Sequence, residues 1–250
     1  MKEQNNKGKV FIVGAGPGDP ELLTLKAVKI LEKADIVFFD RLVNKQILNY
    51  VNKNAKLVFV GKRDGKHLIP QDEINQMLLD AVKKYKNVVR LKGGDPFLFG
   101  RGGEEAIFLS QNNVDFEIIP GITSAIAVPE LAGIPITHRA YSSSIVILTG
   151  HSKNGKLPDF DWEAIAKIDT IIILMGVSRR AEIAQKLIES GKKPDTPIIF
   201  IENGSTENQR EIISTLKEVA NGNVEVNPPA IFLIGDVVKL REKITKKIIK

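Results

Sequence analysis

Between Val88 and Ala106 the sequence reads VVRLKGGDPFLFGRGGEEA. An apolar run gives way to Gly93-Gly94-Asp95-Pro96, and a second glycine pair, Gly102-Gly103, follows. Adjacent glycines leave the backbone bare, so that a ligand can lie against it, and they permit φ > 0. Asp95 sets a carboxylate at the edge of that bare surface, suited to an ammonium or another cationic group, and Pro96 stiffens the turn. The same residues could instead make a tight turn whose aspartate caps the next helix.

Four other apolar runs stop on comparable chemistry: Gly14-Ala15-Gly16-Pro17-Gly18-Asp19, Asp40-Arg41, Gly61-Lys62-Arg63 and Pro120-Gly121-Ile122-Thr123-Ser124. In a parallel sheet, ligands bind outside the carboxyl ends of the strands, so these loops are expected to line one mouth. GAGPGD after a strand, with Asp40 at the end of the next one, invites a dinucleotide reading. The third fingerprint glycine falls on Asp19, however, and a carboxylate at a helix start repels a pyrophosphate. Gly61-Lys62 is followed by Arg63 rather than Ser or Thr, so a Walker-type phosphate loop is absent as well. The chain has no cysteine, and His67, His138 and His151 are not spaced as ligand pairs, so no metal is expected.

Short β-branched runs alternating with helical patterns must position these loops, which predicts α/β architecture. Strands are expected at 9–16, 35–40, 56–61, 87–91 and 115–121, giving a mainly parallel N-terminal sheet. Helical periodicity covers 22–34 and 71–85, the latter with Asp72 and Glu73 in its first turn. The pattern pauses through RAYSSS (139–144) and restarts with strands at 144–151, 170–176, 197–204, 211–216 and 229–238 around a helix at 179–191. The close succession of 197–204 and 211–216 predicts a mixed sheet in the second half. The expected domains are residues 8–138 and 143–240, with a basic terminal helix over 241–250 that shows Leu240, Ile244 and Ile248 as an apolar stripe.

A net charge of +6 and a pI of about 9.3 suit either a nucleic acid or an acidic small substrate. Aromatics make up only 6% and are scattered, which argues against a nucleic-acid platform. The longest apolar runs are too short to span a bilayer, and the N-terminus lacks a signal-peptide pattern, so no membrane partner and a cytoplasmic location are expected.

The motifs VGAGPGDPELLTLKA, DRLV, VGKR, RLKGGDPFLFGRGGEE, PGITSA, AGIPITHR, LTGH, MG and ENG, in this order over residues 8–240, resemble the tetrapyrrole methylases. DRLV, VGKR, QDEIN and GRGGEE together resemble the branch that methylates uroporphyrinogen III at C2 and C7 to give precorrin-2. Same-fold relatives that act on other cobalamin precursors, ribosomal RNA or diphthamide fit these motifs less well. The resemblance implies two α/β domains with the active site in the cleft between them, a homodimer, and S-adenosyl-L-methionine (SAM) as methyl donor without a metal. No segment for precorrin-2 oxidation or uroporphyrinogen-III synthesis is recognisable, so a stand-alone methylase is expected.

By motif, the resemblance implies cofactor contacts at Pro17, Gly93, Gly94, Asp95, Leu98, Thr123 and Ser124, joined by Met175, Gly204 and Ala230 from the second domain. It implies Asp40 as proton acceptor, a task open to a strand-end carboxylate, and Lys62 as proton donor. An ion pair between Asp40 and a neighbouring arginine is the structural alternative. Arg41, Arg63, Arg101 and Arg139 are expected to meet the substrate's acetate and propionate groups. His67 and His138 are read as structural rather than substrate-binding, and Glu130 stands where an apolar or aromatic residue is expected.

Overall fold

The computed structural model describes residues 8–61, 69–152 and 155–245. Two compact units divide between Thr123 and Ser124. The first contains β1 (Lys9–Gly14), α1 (Leu25–Leu31), β2 (Ile36–Phe39), β3 (Lys56–Phe59), α2 (Gln71–Ala81), β4 (Asn87–Lys92), α3 (Gly102–Gln111) and β5 (Phe116–Ile119). Its five strands run in the order β3-β2-β4-β1-β5, all parallel. Every strand therefore ends at the same edge, so the candidate loops set out from one side of this unit.

Both faces of this sheet are covered, which is why its strands read as continuous apolar runs. Val10, Ile12, Ile36, Phe38 and Val88 pack against α2 and α3 through Ile74, Leu78, Ala106 and Leu109. Val13, Val37, Val89 and Leu91 pack on the other face against Ala27 and Leu31 of α1 and Ile47 of the 3-10 segment Lys45–Tyr50. Each element starts on a local signal. Thr24 caps α1 by accepting from the Ala27 amide at 3.2 Å, and Asp19 accepts from the Glu21 amide at 2.8 Å. α2 follows Pro70, with Asp72 and Glu73 in its first turn.

The second unit contains α4 (Ser124–Leu131), β6 (Ile145–Thr149), α5 (Trp162–Ala166), β7 (Thr170–Leu174), α6 (Arg180–Glu189), β8 (Pro197–Glu202), β9 (Arg210–Thr215), α7 (Leu216–Ala220), β10 (Ala230–Ile234) and α8 (Arg241–Thr245). The strand order is β6-β7-β10-β8-β9, with β6 and β7 parallel and the remaining pairs antiparallel, so the expected mixed sheet is present. Ile171, Ile173, Ile198, Phe200 and Phe232 form a core with Ile183 and Leu187 of α6 and Leu216 and Val219 of α7. α4 packs against β7 and β10. Sequence periodicity does not mark α4, because Pro129 lies inside it and the segment is too apolar to show a polar face. Of the expected terminal helix 241–250, Arg241–Thr245 is helical and the remainder lies outside the described residues.

Candidate active site

Three strand-end loops of the first unit meet through bare backbone. Beyond the sheet, the loops after β1 and β4 continue to pair: the Ala15 amide donates to the Lys92 carbonyl at 2.7 Å, and Gly16 and Gly94 exchange hydrogen bonds of 3.2 and 2.7 Å. A Cβ on Gly14 would lie 2.5 Å from the Gly121 backbone and 2.7 Å from the Gly94 oxygen. One on Gly121 would overlap the Gly94 oxygen and stand 2.7 Å from the Gly14 Cα. Gly14 and Gly121 are therefore glycines because three main chains touch. Gly93 is similarly enclosed, since its Cβ would come 2.8 Å from the Leu42 Cβ.

Gly94 is different. It has φ +67°, and a Cβ there would meet no atom within 4 Å. The ladder holds its backbone while its outward side stays open, which is the geometry a backbone-hugging ligand requires. Asp95 follows. Its Oδ1 accepts from the Phe97 and Leu98 amides at 2.8 and 3.1 Å, and its Oδ2 accepts from the Gly121 amide at 3.2 Å. The carboxylate thus ties the β4 loop to the β5 loop and sets Leu98 in place. This is the turn-capping arrangement, and it keeps the negative charge beside the open face of Gly94. Pro17, half-buried, sits next to the Gly16–Gly94 bridge, and Thr123 and Ser124 are half-buried at the start of α4.

Asp40 lies at the end of β2 with its side chain 26% exposed. Its Oδ1 accepts from the Leu42 amide at 3.1 Å, and its Oδ2 faces the Arg90 guanidinium at 3.4 Å. Arg90 leads inward to a sealed cluster. Glu105, fully buried, accepts through Oε1 from Arg90 Nε, Lys92 Nζ and Gln71 Nε2, each at 3.0 Å. Two cations and the two carboxylates Asp40 and Glu105 make the group neutral. Burial, reinforced by the Arg90 charge, pushes the Lys92 ammonium below the usual lysine range, and the Glu105 carboxylate opposes that shift. The loop after β3 reaches the same place, because a Cβ on Gly61 would come 2.8 Å from the Arg41 amide nitrogen.

The remaining expected residues divide. Arg41 and Arg101 are exposed in the first unit, and Arg139 is exposed in the second. Arg101, at φ +60°, forms a two-bond pair with Glu104 at 3.0 and 2.7 Å, and that hydrogen bond raises its pKa. Lys62, Arg63 and His67 lie outside the described residues. His138 accepts the Ala140 amide on Nδ1 at 3.1 Å and stacks edge-on against Tyr141, which agrees with a structural histidine. In the second unit Met175 stands at φ +54° and is exposed at the end of β7, and Ala230, half-buried, opens β10. Gly204 is bare because Val128 packs on it: a Cβ there would come 2.6 Å from the Val128 Cγ2. Glu130 is exposed on α4. Among the described residues, no group of three or more His, Asp or Glu side chains could hold a metal, and no helix is long and apolar enough to cross a membrane.

A bare-backbone ladder with one open glycine, set beside a strand-end aspartate, is the frame that the motif order implies, and comparison with known proteins decides the family. Residues 9–220 match the tetrapyrrole (corrin/porphyrin) methylases. The chain belongs to that family. Among its relatives, a Methanocaldococcus jannaschii uroporphyrinogen-III C-methyltransferase is 48% identical over 236 residues, covering 93% of this chain and 98% of that one. The Bacillus subtilis protein of the same name is 49% identical over 242 residues, covering 95% and 93%. A Thermus thermophilus uroporphyrin-III C-methyl transferase solved with S-adenyl homocysteine superposes with a TM-score of 0.83 at 42% identity, over 93% of this chain and 94% of that one.

Within the quoted motifs, the chain holds one group to which the motif reading assigns no role: Arg90, Lys92, Glu105 and Gln71. The signal was available. Arg90 and Lys92 alternate on one face of an otherwise apolar strand, NVVRLK, and GGEE follows on the next helix. Charges on a buried strand require a buried counter-charge.

Proposed function

We propose that this chain transfers methyl groups from SAM to C2 and C7 of uroporphyrinogen III, yielding precorrin-2. The observation that carries the reading is full-length likeness, near 48% identity, to proteins named for that reaction. The Gly94 surface suits the donor, because it offers open backbone beside a fixed carboxylate.

SAM, when bound, supplies an electrophilic methyl on sulfur. That methyl would pass to a ring carbon of the reduced macrocycle, and the donor would depart as the neutral thioether S-adenosylhomocysteine. Such a displacement depends on in-line placement more than on a strong base. Gly93, Gly94, Asp95 and Leu98, with Pro17, Thr123 and Ser124, are assigned to hold the donor, and Met175, Gly204 and Ala230 of the second unit belong to the same assignment. Methylation leaves the macrocycle with a surplus proton, and Asp40, oriented but accessible, is assigned to receive it. Lys62 is assigned as proton donor.

Arg41, Arg63, Arg101 and Arg139 are assigned to the substrate's carboxylates. Arg101 would exchange its Glu104 partner for one of them, since guanidinium–carboxylate pairing is bidentate in both cases. We further infer functional domains of 8–138 and 143–240, a homodimer and a cytoplasmic enzyme, with no nucleic acid or membrane among its partners. The test is an anaerobic reaction with SAM carrying a carbon-13 methyl, followed by carbon NMR of the product. Label at C2 and C7 supports the reading. Label at another ring position overturns the assignment of C2 and C7.

A further inference from the structure

Arg90 connects Asp40 to the interior. It stands on the central strand β4, beside β2, which leads into Asp40. Its nitrogens reach three acceptors: Nε to Glu105 Oε1 at 3.0 Å, Nη1 to the Leu91 carbonyl at 3.0 Å, and Nη2 to Asp40 Oδ2 at 3.4 Å. The Arg90 side chain is 4% exposed and that of Glu105 0%. A fixed guanidinium therefore runs from a sealed carboxylate to an accessible one. With Asp40 Oδ1 on the Leu42 amide, both oxygens of Asp40 are oriented, one by the backbone and one by the buried cation.

The arrangement is a poor way to gain stability. Burying two cations and a carboxylate costs desolvation, and apolar residues of the same volume often serve as well. Glu105 Oε2 is buried and has no hydrogen-bond partner among the described residues, so the cluster is not even fully satisfied. What the cluster does uniquely is fix Arg90, and through Arg90 the outward carboxylate. We propose that Arg90, anchored by Glu105, is a positioning residue for the reaction, holding the Asp40 carboxylate where the surplus proton is received. The proposal rests on the reading of Asp40 as proton acceptor.

The test compares Arg90→Lys, Asp40→Asn, their double variant and Glu105→Gln, each measured for kcat and for Kd of S-adenosylhomocysteine by calorimetry. Lysine keeps the charge but cannot span Glu105 and Asp40 together. The expected result is a fall in kcat of about 10- to 100-fold for Arg90→Lys, the scale of a misplaced reacting group, with Kd within about twofold. In the Asp40→Asn background, Arg90→Lys should cost nothing further, because its effect passes through Asp40. Glu105→Gln removes the anion that anchors Arg90 at unchanged size and weakens that hydrogen bond; it carries the same expectation, which keeps the proposal testable if Arg90→Lys does not fold.

A merely structural role would behave differently. Gly93 and Gly94 follow Lys92 directly, so a deformed β4 would weaken cofactor binding as much as turnover. Unchanged kcat in Arg90→Lys and Glu105→Gln, with Asp40→Asn slow, overturns the proposal and leaves the Asp40 reading standing. A full multiplicative loss in the double variant also overturns it. Unchanged kcat in Asp40→Asn overturns the Asp40 reading itself, and the proposal with it.

Discussion

Alanine at Gly121 and alanine at Gly94 should fail in different ways. At Gly121 the new methyl overlaps the Gly94 oxygen and stands 2.7 Å from the Gly14 Cα, against an ordinary carbon–carbon contact of about 3.5–4.0 Å. The β5 loop must retreat by roughly 1 Å, and the hydrogen bond from the Gly121 amide to Asp95 Oδ2 lengthens with it. Overpacking of this kind costs about 1–3 kcal/mol. At Gly94 nothing lies within 4 Å, so the cost is only that of a non-glycine residue at φ +67°, about 1–2 kcal/mol. For a chain of this size each kcal/mol lowers Tm by about 2–4 °C. The methyl of Gly94→Ala projects into the space assigned to the cofactor, so Kd for SAM should rise at least about tenfold, or about 1.4 kcal/mol. Gly94→Val should abolish binding in a folded protein. Gly103→Ala is the control: nothing within 4 Å opposes it, and helix propensity in the first turn of α3 makes it neutral or slightly stabilising. Thermal melts and calorimetric titration of the three alanine variants decide the matter. Wild-type affinity in Gly94→Ala would refute the cofactor reading of the open face, and a Gly121→Ala melt equal to wild type would refute the packing reading of Gly14 and Gly121.

Three further outcomes are expected. Asp40→Asn should lower kcat by about 10²–10⁴-fold with Kd for SAM unchanged, as rapid-quench kinetics and calorimetry can separate. Glu105→Leu should cost about 3–5 kcal/mol in urea unfolding, because it leaves the buried Arg90 and Lys92 without their anion. Glu117 is paired with Lys26 and Lys9, hydrogen bonds that lower its pKa from 4.5 to about 2. The folded value is the depressed one, so its stabilisation is fully present above pH 4.5 and is lost as pH falls through about 2. These lysines are exposed, so Glu117→Gln should cost at most about 1 kcal/mol at pH 7, less at pH 3, and less again in high salt.

Much of this was legible in the sequence. Glycine or a strand-end acid at the close of each N-terminal run placed the five loops on one edge, because parallel strands must end together. The mixed second sheet followed from the short connection between 197–204 and 211–216. The sequence could not separate the glycines. Gly14, Gly121 and Gly204 are bare for contact with neighbouring chain, whereas Gly94 and Gly103 face open space, and that distinction depends on which loops touch. The partner of Asp40 was likewise hidden. The sequence admits an ion pair with an arginine, but Arg90 is distant in the chain and comes to Asp40 through the β2–β4 pairing. Asp95 illustrates the converse: turn-capping and ligand-facing readings looked exclusive, yet capping is what fixes the carboxylate beside Gly94.

The most direct test of the account is a mass spectrum. The protein is incubated anaerobically with SAM and enzymatically generated uroporphyrinogen III, and the tetrapyrrole is oxidised and weighed. Two added methyl groups per macrocycle, with S-adenosylhomocysteine formed in a ratio of two to one, is the predicted result. An unmodified macrocycle from protein that binds SAM would contradict it.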